Sequence, residues 1–200
     1  MNEPHFHKRN LPHIYIPNSA YFITTRLHGS IPKHKLYELK NRFGNLKTPL
    51  NKGEKYKQES KFFYEYDQLL HKNSKINYLS NFEIAEIVKT QIFKLDKHEY
   101  SLYCFTIMPN HIHIVFNLYE HSKPISKIMQ EIKRISAYYS NRVLNKKCKF
   151  WQAESYDHVI RDTEELFKVM KYVVLNPVKA GLVNNWEDWQ HTYLSSEFYN

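Results

Sequence analysis

Glycine is scarce in this 200-residue chain, with four residues at Gly29, Gly44, Gly53 and Gly181. Neither a phosphate-cradling P-loop nor a dinucleotide fingerprint can be assembled from glycines so far apart, and nucleotide-fold enzymes are excluded. Cysteine is equally sparse. Cys104 lies in an apolar run and Cys148 in a lysine cluster, which is neither a disulfide framework nor a four-cysteine zinc site, so a reducing cytoplasm suits the chain. The longest uncharged apolar stretches, such as Tyr103 to Met108 and Tyr172 to Leu175, are far below the roughly 20 residues of a membrane span, and the N-terminus has no apolar secretory core. A soluble, unexported protein with no membrane partner is expected, and the length suits one α/β domain.

Positive charge and aromatic rings are abundant. Lysine plus arginine number 29 against 20 aspartates and glutamates, a net charge of +9. The excess is concentrated between residues 121 and 150, where eight lysines and arginines face Glu131 alone. A local excess of this kind points to a polyanion. The 16 tyrosines and 12 phenylalanines add stacking surfaces suited to unpaired bases, or simply furnish a core.

Periodicity organises the chain. Residues 1–19, with Pro4, Pro12 and Pro17, read as an arm leading into a strand at Tyr21–Leu27. Lys33–Phe43 has helical spacing, residues 44–61 read as a mobile loop, and a helical stretch with Phe62, Phe63, Tyr66, Leu69 and Leu70 follows. Ser80 to Glu83 matches a capping box ahead of a helix reaching about Asp96. Tyr100–Ile107 and Ile112–Phe116 read as strands joined through Met-Pro-Asn, and an apolar stripe from Ile125 to Tyr139 marks a basic helix. A strand at 155–161 precedes a helix capped by Asp162 that ends near Pro177, and residues 187–200 read as a tail. Strands interleaved with helices in this proportion imply an α+β sandwich, helices on a mostly antiparallel sheet.

The chemistry centres on His111 and His113. Two apart on a strand, both imidazoles project from one face while Ile112 enters the other, a disposition suited to Mn²⁺, Mg²⁺ or Zn²⁺ if further ligands arrive from elsewhere. Tyr172 and Asn176 lie four apart on one helical face. The tyrosine hydroxyl is a poor nucleophile unless a metal polarises the phosphodiester it attacks, and the Asn176 amide oxygen is a possible ligand. The plainer alternative is a packed tyrosine ring and an asparagine cap.

The string Met108-Pro109-Asn110-His111-Ile112-His113-Ile114-Val115 resembles the histidine-hydrophobic-histidine (HUH) motif of single-tyrosine transposases of small insertion sequences. Tyr172 to Val183 resembles the tyrosine helix and following turn of the REP-associated tyrosine transposase branch, and Phe150-Trp151-Gln152 with Tyr156 to Arg161 matches the same branch. The resemblance implies a ferredoxin-like sandwich over residues 20–186, His111, His113 and Asn176 holding a divalent metal (Mg²⁺ or Mn²⁺), and Tyr172 as nucleophile on single-stranded DNA beside a hairpin. It implies a 5′-phosphotyrosine intermediate with no nucleotide cofactor, in a monomer or homodimer. Lys127, Lys133, Arg134 and Arg142 would then neutralise phosphates. Trp151 is a stacking ring or a core side chain, Arg161 a backbone contact or a partner of Asp157 or Glu164, and His158 an orienting group behind the ligands or a structural histidine. Two other classes stay open: a DNA-binding or regulatory domain that does not cut, and a metal-dependent nuclease in which water attacks.

Overall fold

A computed structural model describes residues 6–8, 12–14, 16–44, 51–72 and 75–199. Two short strands, β1 (Phe6–Lys8) and β2 (Pro12–Ile14), pair antiparallel in a ladder of their own. The main sheet comprises β3 (Ala20–Arg26), β4 (Tyr100–Met108), β5 (His111–Leu118), β6 (Tyr156–Val159) and β7 (Thr192–Leu194) in the order β6-β3-β5-β4-β7, every pair antiparallel. With helix α3 (Phe82–Leu95) between β3 and β4 and α4 (Ile125–Val143) between β5 and β6, this is the β-α-β-β-α-β order of a ferredoxin-like sandwich. β7 adds an edge strand from the segment expected to be a tail.

The sheet divides two cores. Tyr21, Ile23, Phe105, Ile107, Ile112, Ile114 and Phe116 face α3 and α4, where Ile84, Val88, Ile92, Ile128 and Ile132 meet them. Phe22, Cys104 and Val115 face the other way, against Met170, Val173 and Val174 of α5 (Thr163–Val174). A register shift between Leu102 and Cys104 of β4 moves the strand's alternation by one, so Leu102 and Phe105 share a core while Cys104 joins the opposite one. Local chemistry starts the helices. The Asn81 side chain accepts from Ile84 N, which places the α3 cap one residue after Ser80, and Asp162 accepts from Glu165 N at the start of α5.

Between β3 and α3 two helices are inserted, α1 (Lys33–Gly44) and α2 (Lys52–His71). They share a small core of Ile31, Leu39, Tyr66 and Leu70. Gly29, at φ +80, lets the chain leave β3, and a Cβ there would come within 2.9 Å of Ile76 Cδ1. α2 corrects the loop expected at 44–61. Residues 45–50 lie outside the described residues, but Lys52 onward is helical because Asn51 and Glu54 form a reciprocal capping box. This half of the helix faces solvent, so it carries no apolar period that the sequence could display.

Asn51→Ala should therefore remove about 1 kcal/mol of capping stabilisation from α2. Amide exchange across residues 53–61 is expected to accelerate about fivefold. Unchanged exchange would mean that the cap does not hold this helix.

Candidate active site

The register of the central strand builds the site. β5 pairs with β3 on one side and β4 on the other, setting His113 opposite Thr24 and Thr106, and His111 opposite Arg26 and Met108. Both histidines are buried, at 1% and 0% exposure, on the face covered by α5 and α2. Their Nε2 atoms face each other at 3.2 Å. The remaining nitrogens are held from behind: His111 Nδ1 donates to Asn110 Oδ1 at 2.6 Å, and His113 Nδ1 lies 2.7 Å from the Thr24 hydroxyl.

A third group comes from α2. Asp67 Oδ1 lies 3.4 Å from His113 Nε2, and its other oxygen lies 3.3 Å from His71 Nε2, one turn along the helix. One ligand atom each from Asp67, His111 and His113 falls within 4.8 Å of the others. Asp67 was not evident in the sequence, where it sits among aromatics with no motif around it. Burial opposes its ionisation, but the adjacent imidazoles of His113, His111 and His71 favour the carboxylate and hold the pKa well below the usual range. Burial lowers the pKa of His111 strongly, aided by His113, and lowers that of His113 against the pull of Asp67. Both shifts favour the neutral imidazole, the form that ligates.

Tyr172 projects from α5 into the same space. Its ring centroid lies 5.5 Å from His113, 5.7 Å from Phe63 of α2 and 6.0 Å from Phe22, with Lys179 Nζ 4.6 Å over its face. The hydroxyl is buried without a hydrogen-bond partner among the described residues. Burial, then the Asp67 carboxylate, raise its pKa far above that of a free phenol. Asn176 opens the short helix α6 (Asn176–Lys179). Because Leu175 stays right-handed helical between α5 and α6, it remains in phase with Tyr172. Asn176 is fully buried, and both atoms of its amide lack hydrogen-bond partners among the described residues.

These residues suit a divalent cation. Two imidazoles, a carboxylate and an unpaired amide in one buried space are costly to bury unless something positive joins them. A mixed nitrogen and oxygen set is the chemistry of Mn²⁺, Mg²⁺ or Zn²⁺.

Residues 60–176, more than half of the chain, match the family model described as Transposase IS200 like. The chain belongs to this family. It is similar to the REP-associated tyrosine transposase of Escherichia coli strain K12, 25% identical over 105 residues, which cover 52% of this chain and 61% of the relative. A putative REP-associated tyrosine transposase of Haemophilus influenzae is 27% identical over 95 residues, 43% of this chain and 54% of that protein. The matched segments thus span little more than half the length of these relatives. A solved REP-associated tyrosine transposase bound to a REP hairpin superposes with a TM-score of 0.57 at 19% identity, over 96% of this chain and 82% of that one, a likeness of fold.

The remaining expected residues do not all lie together. Lys127, Arg134 and Arg142 are exposed on α4, and Arg142 both donates to the Tyr138 hydroxyl and lies over its ring. Lys133 is different. Its ammonium donates to the carbonyls of Gln152 and Ala153, and burial lowers its pKa to about 8, so it fastens the chain before β6. Trp151 is 7% exposed with its indole N–H on Ser136 Oγ, a core side chain and not a free stacking ring. Beyond α4, Lys146, Lys147 and Lys149 extend the basic surface around a groove with Tyr138.

His158 and Arg161 serve α5 instead of the histidine pair. His158 Nε2 meets Glu165 Oε1 at 3.0 Å, and Arg161 binds the same carboxylate through its backbone N–H and guanidinium, while Glu164 pairs with Lys168. The Arg161 guanidinium also lies 3.5 Å above the ring of Tyr56 on α2. Burial would raise the pKa of Glu165, but the bonds from Arg161 and His158 prevail and hold it at about 2.

A carboxylate depressed from an ordinary 4.5 to about 2 contributes stability above the unfolded value and loses it as pH falls towards 2. Glu165→Gln should cost roughly 2–3 kcal/mol at neutral pH. The gap from wild type in denaturant melts should close between pH 4.5 and 2. A constant gap across that window would show that charge is not what Glu165 contributes.

Proposed function

We propose that this protein is a metal-dependent single-stranded DNA endonuclease and strand transferase that uses Tyr172 as its nucleophile. The observation that carries the reading is the convergence of the Tyr172 hydroxyl, the paired His111 and His113 nitrogens, Asp67 and the Asn176 amide in one buried space. His111, His113 and Asp67 would hold Mg²⁺ or Mn²⁺, with Asn176 beside them. When bound, the ion polarises the phosphate oxygens. Tyr172 Oη forms a bond to phosphorus, the bond to the 3′ oxygen breaks, and a 5′-phosphotyrosine and a free 3′-hydroxyl result. The phosphodiester energy is kept in the new link, so strands rejoin without a nucleotide cofactor. Lys179, over the tyrosine ring, favours the developing phenolate. The hairpin partner of the solved relative makes hairpin-bearing single-stranded DNA the substrate class of choice, with Lys127, Arg134 and Arg142 as phosphate contacts.

One observation favours a second reading, a DNA-binding domain that does not cut. The Tyr172 hydroxyl is shielded, with Phe63 packed on its ring. Under the catalytic reading Phe63 must move off to admit a phosphate. Incubation with labelled hairpin DNA and Mn²⁺, followed by denaturing electrophoresis, separates the readings. Wild type should yield a covalent adduct, Phe63→Ala should yield it faster, and Tyr172→Phe should bind DNA yet give neither adduct nor cleaved strand. Cleavage by Tyr172→Phe would make water the nucleophile, and a wild type and Phe63→Ala that both fail would favour the silent domain.

Salt dependence tests the DNA face. Each neutralised phosphate contributes a slope of about −0.7 for single strands. The double variant Arg134→Ala, Arg142→Ala should flatten the slope by about one unit or slightly more. Lys133→Ala should leave the slope unchanged, because its ammonium is committed to two carbonyls.

A further inference from the structure

One polar side chain of the Met108-to-His113 string has no part in the reaction above. Asn110 lies in the turn between β4 and β5, 5% exposed, and makes two hydrogen bonds of opposite sense. Its Nδ2 donates to the Leu70 carbonyl of α2 at 3.0 Å, and its Oδ1 accepts from His111 Nδ1 at 2.6 Å. The two ends of an asparagine amide are nearly equal in shape, so their assignment depends on their partners. A backbone carbonyl only accepts, so Leu70 fixes the NH₂ end on its side and leaves the oxygen end to His111. That oxygen only accepts as well. A neutral His111 must then carry its proton on Nδ1, and its Nε2 presents a bare lone pair towards His113 Nε2, 3.2 Å away. His113 is not constrained in this way, because the Thr24 hydroxyl either donates or accepts.

We propose that Asn110 is a positioning residue that locks His111 in the tautomer whose Nε2 is free for a divalent cation, and that the Leu70 carbonyl keeps its amide from turning over. The inference rests on the metal-site reading of His111 and His113. A neutral imidazole with no such partner favours the proton on Nε2 in water, the atom the cation needs. Removing Asn110 therefore sets a tautomer change, and not only a lost contact, against metal binding. Groups that orient a ligating histidine in this manner are typically worth 10- to 100-fold in metal affinity.

The test combines ¹⁵N spectra of the imidazole rings, recorded without metal above pH 7.5, with calorimetric titration of Mn²⁺. In wild type, His111 should show a protonated-type Nδ1 and a lone-pair-type Nε2. Asn110→Ala should move the pattern towards Nε2–H and weaken Mn²⁺ binding about 10- to 100-fold. Asn110→Asp keeps an acceptor for Nδ1–H and should restore both the pattern and most of the affinity. Wild-type His111 with a lone pair on Nδ1, or Asn110→Ala with unchanged pattern and affinity, would overturn the proposal. The wild-type spectrum decides even if Asn110→Ala fails to fold. Wild type that keeps the expected pattern but binds no Mn²⁺ would count against the metal site and leave the tautomer lock standing.

Discussion

Everything at the site depends on the register of β5. It is the middle strand of five, hydrogen-bonded on both sides and covered on both faces, so each residue from His111 to Phe116 has one of two buried destinations. Ile112, Ile114 and Phe116 fill the core beneath α3 and α4, and this forces His111 and His113 to the opposite face. A slip by one residue would drive two imidazoles among isoleucines and bring the isoleucines to the site. The apolar residues of this strand thus aim the polar ones.

The same register supplies the groups behind the histidines. Thr24 sits opposite His113 because β3 pairs with β5 at that residue, and Asn110 reaches His111 from the adjoining turn. α2 closes the space from outside with Phe63 on Tyr172, Asp67 on His113 and the Leu70 carbonyl on Asn110. The consequence is a buried cluster in which the Tyr172 hydroxyl and both ends of the Asn176 amide have no partner among the described residues. Such a cluster costs stability, a cost that a cation and a phosphate would offset.

Much of this was legible in one dimension. The His-Ile-His string, the four-residue spacing of Tyr172 and Asn176, the basic stripe of α4 and the alternation of helices and strands are local patterns with a period. Three residues offered for the DNA face, Lys133, Trp151 and Arg161, are engaged within the fold. Lys133 and Trp151 carry the right chemistry in the right segment, but nothing local states that a carbonyl pair waits for the one and the Ser136 hydroxyl for the other. The first half of α2 was missed for the converse reason, since a solvent-facing helix rich in lysine shows no apolar period and only its cap betrays it.

The sequence by itself determined which residues share a face within each element, because pleat and helical turn are properties of the local backbone. It thereby determined the fold class and the shared faces of His111 with His113 and of Tyr172 with Asn176, while their roles came from the HUH resemblance. Tertiary structure alone decided which elements face one another. Asp67 enters the site because an inserted helix happens to lie across β5 more than 40 residues further along the chain, and Glu165 holds Arg161 and His158 because burial leaves its charge no solvent to turn to. Contacts between distant segments arise from packing, and packing leaves no period in the sequence to be read.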